Sequence, residues 1–247
     1  MANQIDDVLL FRTDISPFLT HLTKAAGNSS AEDVLRAILT SRQLKAGPGE
    51  ISDIKYGGGA AFFKLSDQEK KDFFGAICMT ETPLSEVYCL LDLAARKINL
   101  EPYGILFVKQ IMRDKGVSPV NYLNNYSGNK YTVAQALFSL CHTHPDAAKE
   151  LLPLFSVTGP FLAPANRPRD GRQEFSWERE WRYPASKGPL QFSDADVFIG
   201  LCPADRISEM ESSFPWLKFV DPRLNLKIYA KKLIESRDRI NMKNSVV

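Results

Sequence analysis

The chain has 247 residues, 44% hydrophobic and 24% charged, with a formal net charge of +2. Those values describe an ordinary folded protein, and the mild basicity permits a nucleotide or nucleic-acid partner without requiring one. No apolar run reaches the length of a membrane span, Met1–Asp7 carries two acids and no base and does not read as a signal peptide, and Cys78, Cys89, Cys141 and Cys202 lie far apart, as free thiols in a reducing cytoplasm would.

In chain order, Val8–Arg12 reads as a short buried strand ending at a cation. Ile15–Ala26 reads as a short helix with Pro17 in its first turn. Ser29 and Ser30 precede Glu32 and Asp33 in a capping-box pattern, and Val34, Leu35, Ile38 and Leu39 follow at helical spacing. A helix over about Ala31–Leu44 is predicted, stopped by Gly47-Pro48-Gly49. Tyr56–Ala60 is glycine-rich and reads as a flexible or tightly turning loop. Ile77–Thr80 is a second strand, and Pro83 opens a helix to about Lys97. Gly104–Val108 and Pro119–Leu123 are further strands. Thr132–Cys141 and Pro145–Leu154 read as two helices of an insertion. Gly159–Gly171 is rich in Pro, Gly and Arg and reads as a mobile loop. Asp196–Leu201 is an apolar strand, Asp205–Ser212 a helix, Trp216–Val220 a strand, and Leu224 to about Arg239 a closing helix. Strands and helices do not alternate strictly, which favours α+β over a doubly wound sheet. The expectation is one domain over 1–247 with a helical insertion at 130–156.

The densest stretch is Phe175-Ser176-Trp177-Glu178-Arg179-Glu180-Trp181-Arg182-Tyr183. Read as a strand, it places Trp177, Arg179 and Trp181 on one face and Glu178, Glu180 and Arg182 on the other. Two carboxylates on one face repel unless something neutralises or uses the charge. Arg182 suits the first role and a substrate with positive character the second. A charged edge strand packed through its tryptophans has the same composition.

Other candidates carry a bland reading beside the functional one. Arg12-Thr13 at a strand end suits a phosphate, or a surface pair with Asp14 or Glu81. Thr80 and Thr82 flank Glu81 at a strand–helix junction. Thr82 before Pro83 suits an N-cap, with Thr80 left to face a cleft. Tyr103 beside Gly104 suits stacking or plain packing. Cys141-His142-Thr143-His144 has metal-ligand residue types but no second cluster at familiar spacing, so no metal is expected.

The succession Phe11-Arg12-Thr13-Asp14, Ile77-Cys78-Met79-Thr80-Glu81-Thr82-Pro83-Leu84-Ser85, Tyr103-Gly104-Ile105-Leu106-Phe107, Pro119-Val120-Asn121-Tyr122 and Glu178-Arg179-Glu180-Trp181-Arg182 resembles the AbiGi family of abortive phage-resistance proteins. More distantly it is similar to ADP-ribosyltransferases of the DarT kind. The resemblance spans roughly Leu9–Arg182. It implies an ADP-ribosyltransferase-like mixed or antiparallel sheet core with flanking helices. It further implies a transferase that uses NAD to modify a nucleic-acid or protein acceptor, in phage defence or a toxin–antitoxin system. On that resemblance Glu180 is the catalytic carboxylate and Glu178 its helper. Arg12 and Thr13 hold the pyrophosphate end of NAD, Thr80 and Thr82 orient Glu180, and Tyr103 or an aromatic from the Tyr56 region stacks on the nicotinamide. Arg167, Arg169 and Arg172 suit a nucleic-acid acceptor, or a solvated loop. Two alternatives stand beside this reading. One is a non-catalytic antitoxin or sensor on the same scaffold, bound to a co-encoded partner. The other is a nucleic-acid-binding module. A cytoplasmic protein without membrane contact is expected.

Overall fold

Ile15–Ala26 contains a strand rather than a helix: residues Phe18–Leu22 form β1. The apolar spacing of Ile15, Phe18, Leu19 and Leu22 imitates a helix. The imitation arises because Phe18, Leu19 and Thr20 are consecutive and all buried. A strand covered on both faces loses its two-residue alternation.

The computed structural model describes residues 14–46, 68, 72, 75–91, 100–123, 143–144, 158–160, 162–164, 172–174 and 176–242. After β1 come α1 (Ala31–Ser41), β2 (Gln43–Leu44), β3 (Ala76–Thr80), a 3-10 helix (Leu84–Leu90), β4 (Gly104–Val108) and α2 (Lys109–Asp114). Then follow β5 (Ser118–Pro119), β6 (Asn121–Leu123), β7 (Thr158–Pro160), β8 (Leu162–Pro164), β9 (Arg172–Glu174), β10 (Glu180–Pro184) and β11 (Leu190–Gln191). The chain closes with β12 (Val197–Leu201), α3 (Ile207–Ser213), β13 (Phe219–Val220) and α4 (Ala230–Arg239). The fold is mixed, with mostly antiparallel strand pairing and several helices, in keeping with α+β. The helices expected at 132–154, the strand at Val8–Arg12 and the loop at Tyr56–Ala60 lie outside the described residues, apart from Thr143 and His144. No helix among the described residues is long and apolar enough to cross a membrane.

The chain divides into two compact units. The first comprises Met1–Gln43, Met79–Lys115 and Gln191–Val247, and the second Leu44–Cys78 and Gly116–Leu190. In the first unit β4 lies between β1 and β12, antiparallel to both, and β13 runs parallel to β12. On the other side of β1, Thr20 is registered opposite Thr80 at the end of β3. Every residue of β12 is buried, as are Gly104–Phe107 of β4. Phe18, Leu106, Phe198, Ile199, Leu201 and Val220 pack with Leu84 and Val87 of the 3-10 helix and with Tyr229 and Leu233 near the C-terminus. Burial of apolar surface on this scale is the main stabilising term of such a unit.

β12 carries a bulge: Val197 pairs with Phe107 but Ile199 with Leu106, so Phe198 is extra. An extra residue interrupts the side-chain alternation. Phe198 and Ile199 accordingly enter the same cluster, and the Phe198 ring stacks on Phe18 at 4.1 Å. The bulge leaves carbonyls that the ladder does not use. Arg239 of α4 donates to the carbonyls of Val197 at 2.5 Å and Phe198 at 3.0 Å. Gly104 is a close-approach position, since a Cβ there would meet the His21 carbonyl oxygen at 2.5 Å.

α1 forms as its sequence requires. Ser30 accepts from the Asp33 amide, Asp33 accepts from the Ser30 amide, and Arg42 closes the helix at φ 54°. In the second unit β5 and β10 pair antiparallel, with Trp181 opposite Pro119 and Arg182 opposite Ser118. β6 pairs parallel with β7, and β8 pairs antiparallel with β9. The stretch expected as a loop at Gly159–Gly171 thus contributes short strands, and 165–171 lies outside the described residues.

Candidate functional site

β10 begins at Glu180, not at Phe175. Ser176–Glu178 forms a 3-10 turn, and the Arg179 amide donates to the Ser176 carbonyl at 3.1 Å. Arg179 has φ 47°, in the left-handed region that non-glycine residues seldom occupy. The turn breaks the alternation that would carry Glu178 onto the Glu180 face. It also places Trp177 on the turn, 40% exposed, rather than beside Trp181 on a strand.

Two residues further on, the alternation holds. The guanidinium of Arg182, a buried residue, meets the Glu180 carboxylate along the same strand face. Nε donates to Oε1 at 3.0 Å and Nη2 to Oε2 at 2.7 Å. Two parallel charge-assisted bonds fix the orientation of the carboxylate as well as neutralising it.

A third side chain joins this pair from β6. The Glu180 amide donates to the Tyr122 hydroxyl oxygen at 3.2 Å. The Val120 amide donates to the Glu180 carbonyl at 2.8 Å, so the two segments are joined on both sides of Glu180. Burial pushes the Tyr122 phenol up to about 12. The charges of Glu180 and Glu178 act in the same direction, and the Glu180 amide and Arg182 oppose it. Glu178 is off the strand face, in the 3-10 turn two residues before Glu180. Tyr122 had no role in the sequence reading. Its only signal was membership of Pro119-Val120-Asn121-Tyr122 in the ordered motifs.

The first unit holds the remaining described candidates. Thr80 and Thr82 are 8% and 9% exposed, and their hydroxyl oxygens lie 2.8 Å apart. The Thr82 amide donates to Thr80 Oγ1 at 3.1 Å. Thr82 is not an N-cap: the 3-10 helix starts at Leu84, Pro83 holds the cap position, and no side chain bonds to it. Between the threonines, Glu81 accepts from Lys109 Nζ at 2.7 Å. Beside them, the buried Thr20 Oγ1 has no hydrogen-bond partner among the described residues.

Tyr103 is not in that cluster. β3 and β4 flank β1, with Thr80 opposite Thr20 and Gly104 opposite Leu22. Tyr103 lies at the Thr23 end, about 10 Å along the strand at the usual rise per residue. Its hydroxyl donates to Glu32 Oε2 at 3.0 Å. Arg206 donates to both oxygens of Glu32, at 2.8 and 2.9 Å, and Arg36 adds a bond at 2.9 Å. These donors, Arg206 first, hold the Glu32 carboxyl at about 2. Burial, then the hydrogen bond to Glu32, pushes the Tyr103 phenol up to about 12. Tyr103 is thus built into an ionic network.

Arg12, Thr13, Arg167, Arg169, Cys141 and His142 lie outside the described residues, and Arg172 is described through its backbone in β9. Among the described residues no group of three or more His, Cys, Asp or Glu is placed to hold a metal ion. The described residues therefore divide into two clusters, Thr20–Thr80–Thr82 of the first unit and Tyr122–Glu178–Glu180–Arg182 of the second.

No family model matches the chain, and no curated protein or solved structure matches it.

Proposed function

We propose that the chain is an ADP-ribosyltransferase that uses NAD to modify a nucleic-acid or protein acceptor, in phage defence or a toxin–antitoxin system, on an ADP-ribosyltransferase-like core. The more distant similarity to DarT-type ADP-ribosyltransferases supplies the reaction class, and the resemblance to the AbiGi proteins the setting in phage defence. One observation supports it chemically: Glu180 is gripped along one edge by Arg182, with Tyr122 against its backbone and Glu178 nearby.

Cleaving the nicotinamide–ribose bond passes through an oxocarbenium-like state, as glycoside cleavage does. The carbon–nitrogen electron pair leaves with nicotinamide while positive charge develops on the ribose. A carboxylate already fixed in orientation stabilises that charge without reorganising. Glu180 has this role, and Glu178 takes the proton of the incoming nucleophile. Arg182 serves as a positioning residue.

The test is mass spectrometry of protein, DNA and RNA incubated with labelled NAD. Wild type should transfer ADP-ribose, and Glu180→Gln should stop the transfer while keeping the circular dichroism spectrum. A wild type that neither binds nor cleaves NAD with all acceptors supplied overturns the proposal. A non-catalytic antitoxin or sensor is the second reading: the bonds that orient Glu180 also pair its charge, as they would for a carboxylate with a structural role alone. That reading requires a tight complex with a co-encoded partner that Glu180→Gln leaves unchanged.

A further inference from the structure

We propose that Tyr122 is a ligand-binding residue of the second unit, giving its phenolic hydrogen to a ribose hydroxyl whose own hydrogen goes to Glu180. The inference rests on the reading above, and it adds a residue and a ligand chemistry to that site.

The hydrogen-bond inventory leads there. An ionised carboxylate only accepts, a guanidinium only donates, and a phenol does both. A sugar hydroxyl also does both, so a pocket that grips it needs an acceptor and a donor side by side. Glu180 is the acceptor, with Arg182 along one edge. The phenol oxygen of Tyr122 already accepts the Glu180 amide at 3.2 Å. That bond uses a lone pair and leaves the phenolic hydrogen for another partner.

The position of the phenol is set by backbone on two sides. Tyr122 is registered opposite Gly159 in β7, and the neighbouring Val120 amide bonds the Glu180 carbonyl at 2.8 Å. The hydroxyl is held on the backbone of the residue whose carboxylate Arg182 orients, so donor and acceptor belong to one short stretch of the unit. With its phenol pushed up to about 12, Tyr122 keeps its hydrogen throughout the neutral range. A hydroxyl, which donates and accepts at once, matches this donor–acceptor pair better than an ammonium, which only donates and would leave the Tyr122 hydrogen without an acceptor.

Calorimetric titration of the whole chain with ADP-ribose, and with the two analogues that lack one hydroxyl of the terminal ribose, tests the proposal. Tyr122→Phe should weaken ADP-ribose binding by about tenfold, the scale of one lost hydrogen bond. It should barely affect one of the two deoxy analogues, because variant and analogue then remove the same bond. Equal weakening on all three ligands overturns the proposal, since loss of the amide contact alone would act on all of them.

Replacing Tyr122 with 3,5-difluorotyrosine separates donation from acceptance, and it decides the matter if Tyr122→Phe does not fold. This more acidic phenol keeps the oxygen that accepts the Glu180 amide. Affinity should fall as it ionises, at a pH where wild-type affinity is flat. Affinity that ignores the ionisation overturns the proposal, because a phenolate still accepts but cannot donate. Turnover of NAD is scored separately. A wild type that binds ADP-ribose without cleaving NAD overturns the transferase reading and leaves Tyr122 to be judged on binding. A wild type that binds neither overturns both.

Discussion

Arg182 holds Glu180 by two bonds across a single strand turn of side chains, Nε to Oε1 at 3.0 Å and Nη2 to Oε2 at 2.7 Å. Both side chains are largely covered, at 8% and 17% exposure. Removing one partner of a covered ion pair leaves the other charge uncompensated, which costs more than the pair itself contributes.

Arg182→Met should therefore destabilise the protein by about 2 kcal/mol, below the range for fully buried pairs because Glu180 retains some contact with water. Arg182→Lys should cost nearly as much, since an ammonium cannot reproduce the two parallel bonds. Urea midpoints at neutral pH measure both. A lysine variant as stable as wild type would show that charge, not the fork, is what matters.

The Glu32 network predicts an acid-side loss of stability. Its carboxyl is lowered from an ordinary 4.5 to about 2 by Arg206, Arg36 and Tyr103. A lowered folded value means stability that is present above 4.5 and lost as pH falls towards 2. Glu32→Gln should be less stable than wild type at neutral pH. The difference between the two should shrink across that window and vanish at its acid end. Thermal midpoints taken from pH 7 to pH 2 follow it, and a constant difference would contradict the assignment.

Arg239 predicts a local effect at the β12 bulge. Its guanidinium serves the Val197 and Phe198 carbonyls and also that of Asp194 at 2.7 Å. Arg239→Ala should cost about 1–3 kcal/mol, the penalty for leaving such carbonyls without a donor. Hydrogen exchange should quicken first in β12 and α4. Uniform quickening across the first unit would mean that the residue acts on global stability instead.

Some of this was legible in the sequence for physical reasons. The start of α1 is encoded within four residues, Ser30 to Asp33, and needs no distant partner. β4 was read at its observed bounds because Gly104–Val108 is a short apolar run closed by charge. The Glu180–Arg182 pairing needed only a two-residue spacing on a strand. β1 was misread because burial on both faces erased its period. Glu178 was misplaced because a non-glycine residue with positive φ, Arg179, leaves no mark in composition. Tyr122 went unassigned because its contact with Glu180 spans 58 residues and depends on backbone pairing around Val120. Tyr103 was assigned to stacking because nothing local announces Glu32, 71 residues earlier.

The order in which β12 arrives bears on how the chain is made. β4, reading Gly-Ile-Leu-Phe-Val, is flanked by β1 on one side and β12 on the other. During synthesis β1 is available early, but β12 belongs to the last stretch of the first unit, Gln191–Val247. Until that stretch emerges, one edge of a wholly apolar strand has no native partner. Such an edge invites pairing with other chains. The interval while the second unit is translated therefore leaves that edge open, and slowing translation between β4 and β12 should lower soluble yield more than slowing it after β13.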